Sequence, residues 1–373
     1  MQKVVFTACS IILLAALLTG CKKADDGNDD DDNFDRKALL TNYADNYVVP
    51  AYQDMVQKLD DFKAAVDQFT AGPDEAMLVT AQNKWKDAYV TWQKVEQLEF
   101  GPAEDVSLRM FMNIYPASVT RINSNLTAGA YDLNAFGNKD AQGFPALDYL
   151  LNGLAGTNQL IVAYYTTDAQ ATNRKQYLQD VTAHMVAMIT NVSNQWTSYR
   201  NSFIENTGTD ASSSFSGLVN SYVLYYERYL RSGKIGLPVG AMSGVAMPEL
   251  TEAYYTPSLS KELALTSLAA VKAFYEGKSY DNSTDGNGMR DYFAAIGTKD
   301  ESGKLLADVV TDEVDQVITG VQGLNGTIRN AVSTNRPAVL AIYDELQDVV
   351  PLLKVDMVSA FGISITYVDN DGD

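Results

Sequence analysis

Apolar residues recur along most of the chain at three- to four-residue steps, the period that gathers them on one face of an α-helix. From about Asp35, the positions Leu39, Tyr43, Tyr47, Tyr52, Met55, Leu59, Phe62, Val66 and Phe69 keep this rhythm. One slip falls near Pro50, whose missing amide hydrogen predicts a kink or break there. Gly72-Pro73-Asp74 ends this helix and opens the next, which carries Leu78, Trp85, Tyr89, Trp92, Val95 and Leu98 and stops at Gly101-Pro102. Shorter helices are predicted around 104–112 and 116–128, a long one over 171–204, and further ones near 217–232, 258–276, 302–323 and 335–361. No segment alternates for long enough to be a sheet, and no repeat of roughly 20–50 residues is visible. Glu205 to Gly217, rich in Gly, Ser and Thr, reads as a domain boundary. The pattern predicts an all-α protein of two packed four-helix-bundle-like domains, 36–207 and 208–373.

One predicted helix start carries polar groups among its apolar ones. In GFPALDYLLNG, Gly143 to Gly153, Pro145 sits in the first turn, where its missing N–H costs nothing. Leu147, Leu150, Leu151 and Leu154 form an apolar stripe, while Pro145, Asp148 and Asn152 share another face. A lone carboxylate beside a proline is a candidate functional position.

Composition changes this picture mainly at the ends. With 373 residues and 46% hydrophobic content, the chain can bury two ordinary cores. Residues 1–20 read as a signal peptide: Lys3 is followed by an apolar run too short for a dedicated spanning helix. Leu18-Thr19-Gly20-Cys21 resembles the bacterial lipobox, which makes Cys21 the lipidated first residue of the mature chain. Cys9 leaves with the signal, so the folded part holds no thiol, and a thiolate nucleophile or thiolate metal site is excluded. Residues 21–35, with aspartates at 25, 26, 29, 30, 31, 32 and 35, form an acidic tether. Such a tether resembles the export signal of Bacteroidetes-type surface lipoproteins. The expectation is an outer-membrane lipoprotein, facing either the surface or the periplasm. A formal charge of -19 excludes nucleic acid and anionic membrane surfaces as partners.

The candidate chemistry is sparse. His184 is the sole histidine, which excludes an HExxH zinc site, and no G-x-S-x-G elbow is present. Its apolar neighbours in a long helix make it a packing or surface residue. DNSTDG, 281–286, begins like a calcium loop, but Tyr292 stands where the bidentate glutamate belongs, so an ordinary turn is expected. The ending, with Asp369, Asp371 and Asp373, reads as a solvated tail. In YYERYLRSGKIGLPVG, Tyr222, Tyr225, Tyr226 and Tyr229 line a helix expected to break at Gly233, with Arg231 and Lys234 at the break. Cations there complement a helix C-terminus, or together with the phenols they bind an anion or chelated ligand.

Four motifs in order carry a resemblance: WKDAYVTWQKVEQLEFGP (Trp85 to Pro102), IYP at 114–116, GFPALDYLL, and GKIGLP. Together they resemble imelysin-like proteins, and the TYVDNDGD ending resembles members from Bacteroidetes. The resemblance implies an all-α, two-domain, exported and often lipid-anchored protein linked to bacterial iron uptake, in a family first described as metallopeptidases. Its shared G-x-H-x-x-E motif, thought to lie near the domain interface, bears on metal binding. Here Gly143 matches, but Pro145 stands at the histidine position and Asp148 at the glutamate position. Proline offers no lone pair, so the metal-clasping pair is reduced to one carboxylate. The resulting expectation is a lipid-anchored binding protein that assists uptake of iron or an iron-bearing ligand, with catalysis absent or vestigial. Asp148, Arg231, Lys234, Tyr229 and Arg109 are its candidate ligand contacts. Asp148, Glu96 and Glu99 are candidates for a weak oxygen-only site for iron or another divalent cation. The outer membrane and iron-uptake components are the expected partners. A peptidase using other ligands and a glycan-binding lipoprotein are the alternatives. The 22 tyrosines and 3 tryptophans sit mostly at helical spacing, which favours core packing over a glycan platform.

Overall fold

Helices with one apolar face stabilise only by covering it, and here three long ones cover each other first. The protein is described by a computed structural model over residues 34–367. The expected signal peptide, the expected lipidation site Cys21, the expected tether up to Asn33 and the terminal aspartates lie outside the described residues. Helix Val49–Ala71 turns at Gly72 into Glu75–Val95, whose start is capped by Asp74 accepting from the Met77 amide at 2.7 Å. Val49–Ala71 packs on Glu75–Val95 and also on Ala171–Glu205, the long helix expected at 171–204. Their contact faces are the predicted stripes, with Leu59, Phe62, Val66, Trp85, Tyr89 and Trp92 all buried.

Pro50 does not break the helix. Arg36–Asn42 runs through a π-helical stretch, Tyr43–Val48, straight into Val49–Ala71, and Pro50 falls in the first turn of that last segment. The expected break at Gly233 is also absent. Helix Ser214–Leu224 continues as a twelve-residue π-helical segment, Tyr225–Gly236, and the chain turns only at Gly240. Glycines at 233 and 236 allow this, because a Cβ would stand 3.0 Å from the Tyr115 hydroxyl and 2.7 Å from the Tyr343 ring respectively.

Ser260–Tyr275 packs on Glu75–Val95 from the first half and on Leu306–Gly323 from the second. Arg336–Pro351 then covers Leu306–Gly323 and the π-helical segment. Buried apolar side chains of both halves join in one continuous cluster. The Gly/Ser/Thr-rich stretch is non-helical only over 206–213, between buried Ile204 and buried Phe215, and Ser213 caps the next helix on the Ser216 amide. All three tryptophans are buried, so the aromatics are core. Among the described residues, extended pairing is limited to two isolated bridges, Lys278 with Asp285 and Lys299 with Leu305. The first brackets the DNSTDG turn, where Asp281 accepts from the Ser283 amide and from the Ser279 and Ser283 hydroxyls, as an ordinary turn does.

Gly143 has a specific duty. Its φ is +74°, and a Cβ there would lie 2.3 Å from the Met112 carbonyl oxygen. Gly143→Ala is therefore expected to cost at least ~2 kcal/mol in urea unfolding, from left-handed strain plus backbone displacement. Gly217, inside Ser214–Leu224 with open space around it, is the control, and Gly217→Ala is expected to be neutral or to stabilise by up to ~1 kcal/mol.

Candidate functional site

Three buried ionisable side chains, Lys234, Glu96 and Glu252, meet where the two halves touch. Helix Glu75–Val95 turns Tyr89, Gln93 and its C-cap residue Glu96 toward the same side, at i, i+4 and i+7. The π-helical segment sends Lys234 and Tyr225 toward them, Asn113 follows helix Leu108–Met112, and Glu252 arrives from an irregular loop. Every one of these side chains is 5% exposed or less.

Lys234 Nζ spends its three protons on Gln93 Oε1 at 2.6 Å, Glu252 Oε2 at 2.7 Å and Glu96 Oε2 at 3.5 Å. Burial alone pulls the ammonium's pKa down, but the Glu252 and Glu96 carboxylates outweigh it and hold the pKa well above its usual range. One cation against two carboxylates leaves a negative charge, which amide and hydroxyl donors spread. Asn113 Nδ2 bridges Glu96 Oε1 at 2.8 Å and Glu252 Oε1 at 2.9 Å, one proton to each. Tyr225 donates to Glu96 at 3.3 Å, and Gln93 Nε2 donates to Glu252 at 3.3 Å. Behind them, Tyr89 donates to Asn113 Oδ1 and Ser267 to Gln93 Oε1, both at 2.7 Å. The position a divalent cation would occupy between two carboxylates is filled by the chain's own ammonium.

Arg109, Glu99 and Tyr229 adjoin this cluster. Arg109 Nε donates to the Glu96 carbonyl at 2.9 Å, and its amide donates to Glu99 Oε2 at 2.6 Å. Its guanidinium lies 4.1 Å from the Tyr229 ring centre. Burial raises the Glu99 carboxyl's pKa, and Arg109 partly offsets that.

Asp148 stands apart. Its Oδ2 accepts from the Tyr255 amide at 2.8 Å, and Oδ1 accepts from Thr256 at 2.7 Å and from Asn152 at 3.1 Å. It thus fastens the loop that begins at Glu252. Burial pushes its carboxyl up to about 6, although those three donors favour the charged form. The helix Gly143–Asp148 itself backs onto Glu75–Val95: the Phe144 ring stacks on Tyr89 at 4.6 Å, and its carbonyl accepts from Trp85 Nε1 at 3.2 Å. Beside Asp148, a shallow cavity of about 260 Å³ opens to solvent, lined by amides and hydroxyls that include Gln82, Asn152, Asn158 and Thr256. Arg231 faces another way, bonded to Tyr343 at 2.8 Å and to Gln347. His184 is half-buried near Asn134, and burial lowers its pKa.

The structure therefore unites Lys234 with Glu96, sets Arg109, Glu99 and Tyr229 against them, and places Asp148 and Arg231 elsewhere. Glu252, Gln93, Asn113, Tyr89 and Ser267 escaped sequence reasoning. The helical spacing of Tyr89, Gln93 and Glu96 on an apolar face was a readable signal, whereas Glu252 in TEAYYTP carries none. Among the described residues, no three His, Cys, Asp or Glu side chains are grouped so as to hold a metal ion.

Lys234→Met is expected to destabilise by about 3–5 kcal/mol in urea at neutral pH, because two carboxylates are left facing each other without a cation. Adding Glu96→Gln and Glu252→Gln is expected to restore much of the loss. For Asp148, the folded-state pKa lies above the unfolded one, so the native state binds the extra proton between about pH 6 and the usual aspartate range. Its contribution to stability accordingly grows as pH falls through that window, by ~3 kcal/mol in all. Urea midpoints of wild type against Asp148→Asn over this range check the sign: the difference should move in favour of wild type as pH falls.

The sequence profile of the imelysin family matches residues 48–349. No curated protein matches the chain. Among solved structures, an imelysin-like protein from Psychrobacter arcticum superposes with a TM-score of 0.66 at 19% identity, covering 89% of this chain and 97% of that one. An iron-regulated protein A precursor from Parabacteroides distasonis superposes with a TM-score of 0.70 at 20% identity, covering 88% and 95%. The shared helical fold and the profile match along most of the length establish that the chain belongs to the imelysin family.

Proposed function

We propose that this chain is a lipid-anchored binding protein of the outer membrane that assists uptake of iron or an iron-bearing ligand and performs no metal-dependent peptide hydrolysis. The observation that carries the non-hydrolytic part is the Lys234 ammonium held between Glu252 and Glu96. A catalytic metal centre needs ligands around a cation with one open, water-holding position. Here the charge between the carboxylates comes from a side chain with all its protons engaged. The family motif points the same way, since Pro145 supplies no donor atom and both Asp148 oxygens are occupied by donors from 152, 255 and 256. The link to iron is supported by one structural neighbour, the iron-regulated protein A precursor. Anchoring is supported by the Leu-Thr-Gly-Cys21 motif and the aspartates that follow it. The solvent-facing cavity beside Asp148, lined by the Asn152 and Thr256 that bond to Asp148, is the proposed seat of a small ligand.

Two measurements test this reading. Isothermal titration with ferrous and zinc ions is expected to show only weak binding, and chelator-sensitive cleavage of an unfolded peptide is expected to be absent. Submicromolar metal affinity abolished by Asp148→Ala, or such cleavage, overturns it. In cells, Cys21→Ala is expected to move the protein from the membrane fraction to the soluble fraction, and retention in the membrane would refute the anchor.

A further inference from the structure

We propose that a second site, a groove of about 650 Å³ running along helix Ser260–Tyr275, binds an elongated organic dicarboxylate. It adjoins the cavity beside Asp148 at Ser258 but shares no other lining residue with it, and its test is independent of that cavity and of the Lys234 cluster. Its volume lies within the usual range for small-molecule sites.

The groove exists because small residues line the helix where its neighbours diverge. Ala269, Ala270 and Ala273 form its floor, between Lys94 of helix Glu75–Val95 and Ile318 of Leu306–Gly323. With Leu265 and Ile318, these leave an apolar strip open to solvent. A cation stands toward each end of the strip. Lys261 donates to the carbonyls of Gln322 and Leu324, both at 2.7 Å, which leaves its charge without a carboxylate and one proton for a ligand. Lys94 lies over the Tyr280 ring, 4.8 Å from its centre. That ring is fixed by its hydroxyl's 2.6 Å bond to Asp54.

Neither ammonium has a carboxylate within ion-pair distance among the described residues. In a chain of formal charge -19, two cations without a carboxylate partner on one groove offer charge complementarity to an anionic ligand. The nearby Glu262 carboxylate is taken by Lys86 at 2.8 Å. Gln93 bonds to Ser267 and Gln97 to Ala270, so Lys94 lies opposite the stretch between them. Lys261 is thus about seven residues away along the helix, roughly 11 Å at the helical rise. Two cations that far apart with an apolar strip between them match a carboxylate at each end of a hydrocarbon chain or ring system.

Calorimetric titration of the purified full chain with straight-chain dicarboxylates of increasing length tests this. Monocarboxylates of the same length, the dimethyl esters and inorganic phosphate serve as comparisons. Saturable, salt-sensitive binding with a length optimum is expected, weakened about tenfold by Lys94→Gln and again by Lys261→Gln. Ala269→Leu is expected to block the groove and abolish binding with an unchanged melting temperature, since Ala269 is exposed. Binding by no member of the series, equal binding of the esters, equal or tighter binding of phosphate, or indifference to Lys94→Gln and Ala269→Leu would each overturn the proposal.

Discussion

A buried carboxylate pair needs a cation, and this molecule brings that cation from its own second half. Glu96 closes a first-half helix, Glu252 lies on a second-half loop, and Lys234 comes from the π-helical segment between them in sequence. Charges removed from water are tolerable only when paired and fully hydrogen-bonded. Asn113 and Gln93 supply the missing donors and acceptors, so the network holds only when the four segments that carry these five residues are in register. The packing of the two halves and the geometry of the polar interior therefore depend on one another.

The family motif serves this arrangement from outside. Gly143 admits the close approach of the Met112 carbonyl, immediately before Asn113. Phe144 stacks on Tyr89, the phenol that orients Asn113. Asp148 fixes Tyr255 and Thr256, a few residues beyond Glu252. The helix Gly143–Asp148, with Pro145 in its first turn, thus touches the flanks of two network members. Its value in this chain is positional, and a carboxylate with a raised pKa is the cost of using Asp148 as a buried clamp.

The π-helical winding of Tyr225–Gly236 has a physical consequence. At Tyr225–Gly236 the wider turn carries Lys234 inward while Arg231, three residues earlier, reaches the helix Arg336–Pro351. Regular α-geometry places such residues on nearly the same face. Altered winding lets two cations on one short stretch serve different partners, with glycines at 233 and 236 giving room for Tyr115 and Tyr343.

Sequence periodicity was sufficient for the helical class, for most helix positions and for the buried aromatic stripes, because burial of one face leaves a local imprint every three to four residues. The order of loose motifs was sufficient for the family. The Pro50 and Gly233 breaks were misread because π-helical winding absorbs a proline or a glycine without ending the helix, and residue type alone does not reveal winding. Lys234 and Glu96 were legible as candidates, but their union was not, since 138 positions separate them and pairing across such a gap is decided by packing. Glu252, in a loop without periodicity, left no mark at all. Which carboxylate meets which cation, and that Asp148 clamps a loop rather than joining them, was settled only by the tertiary fold, because desolvation acts on groups brought together in space and not on neighbours in the chain.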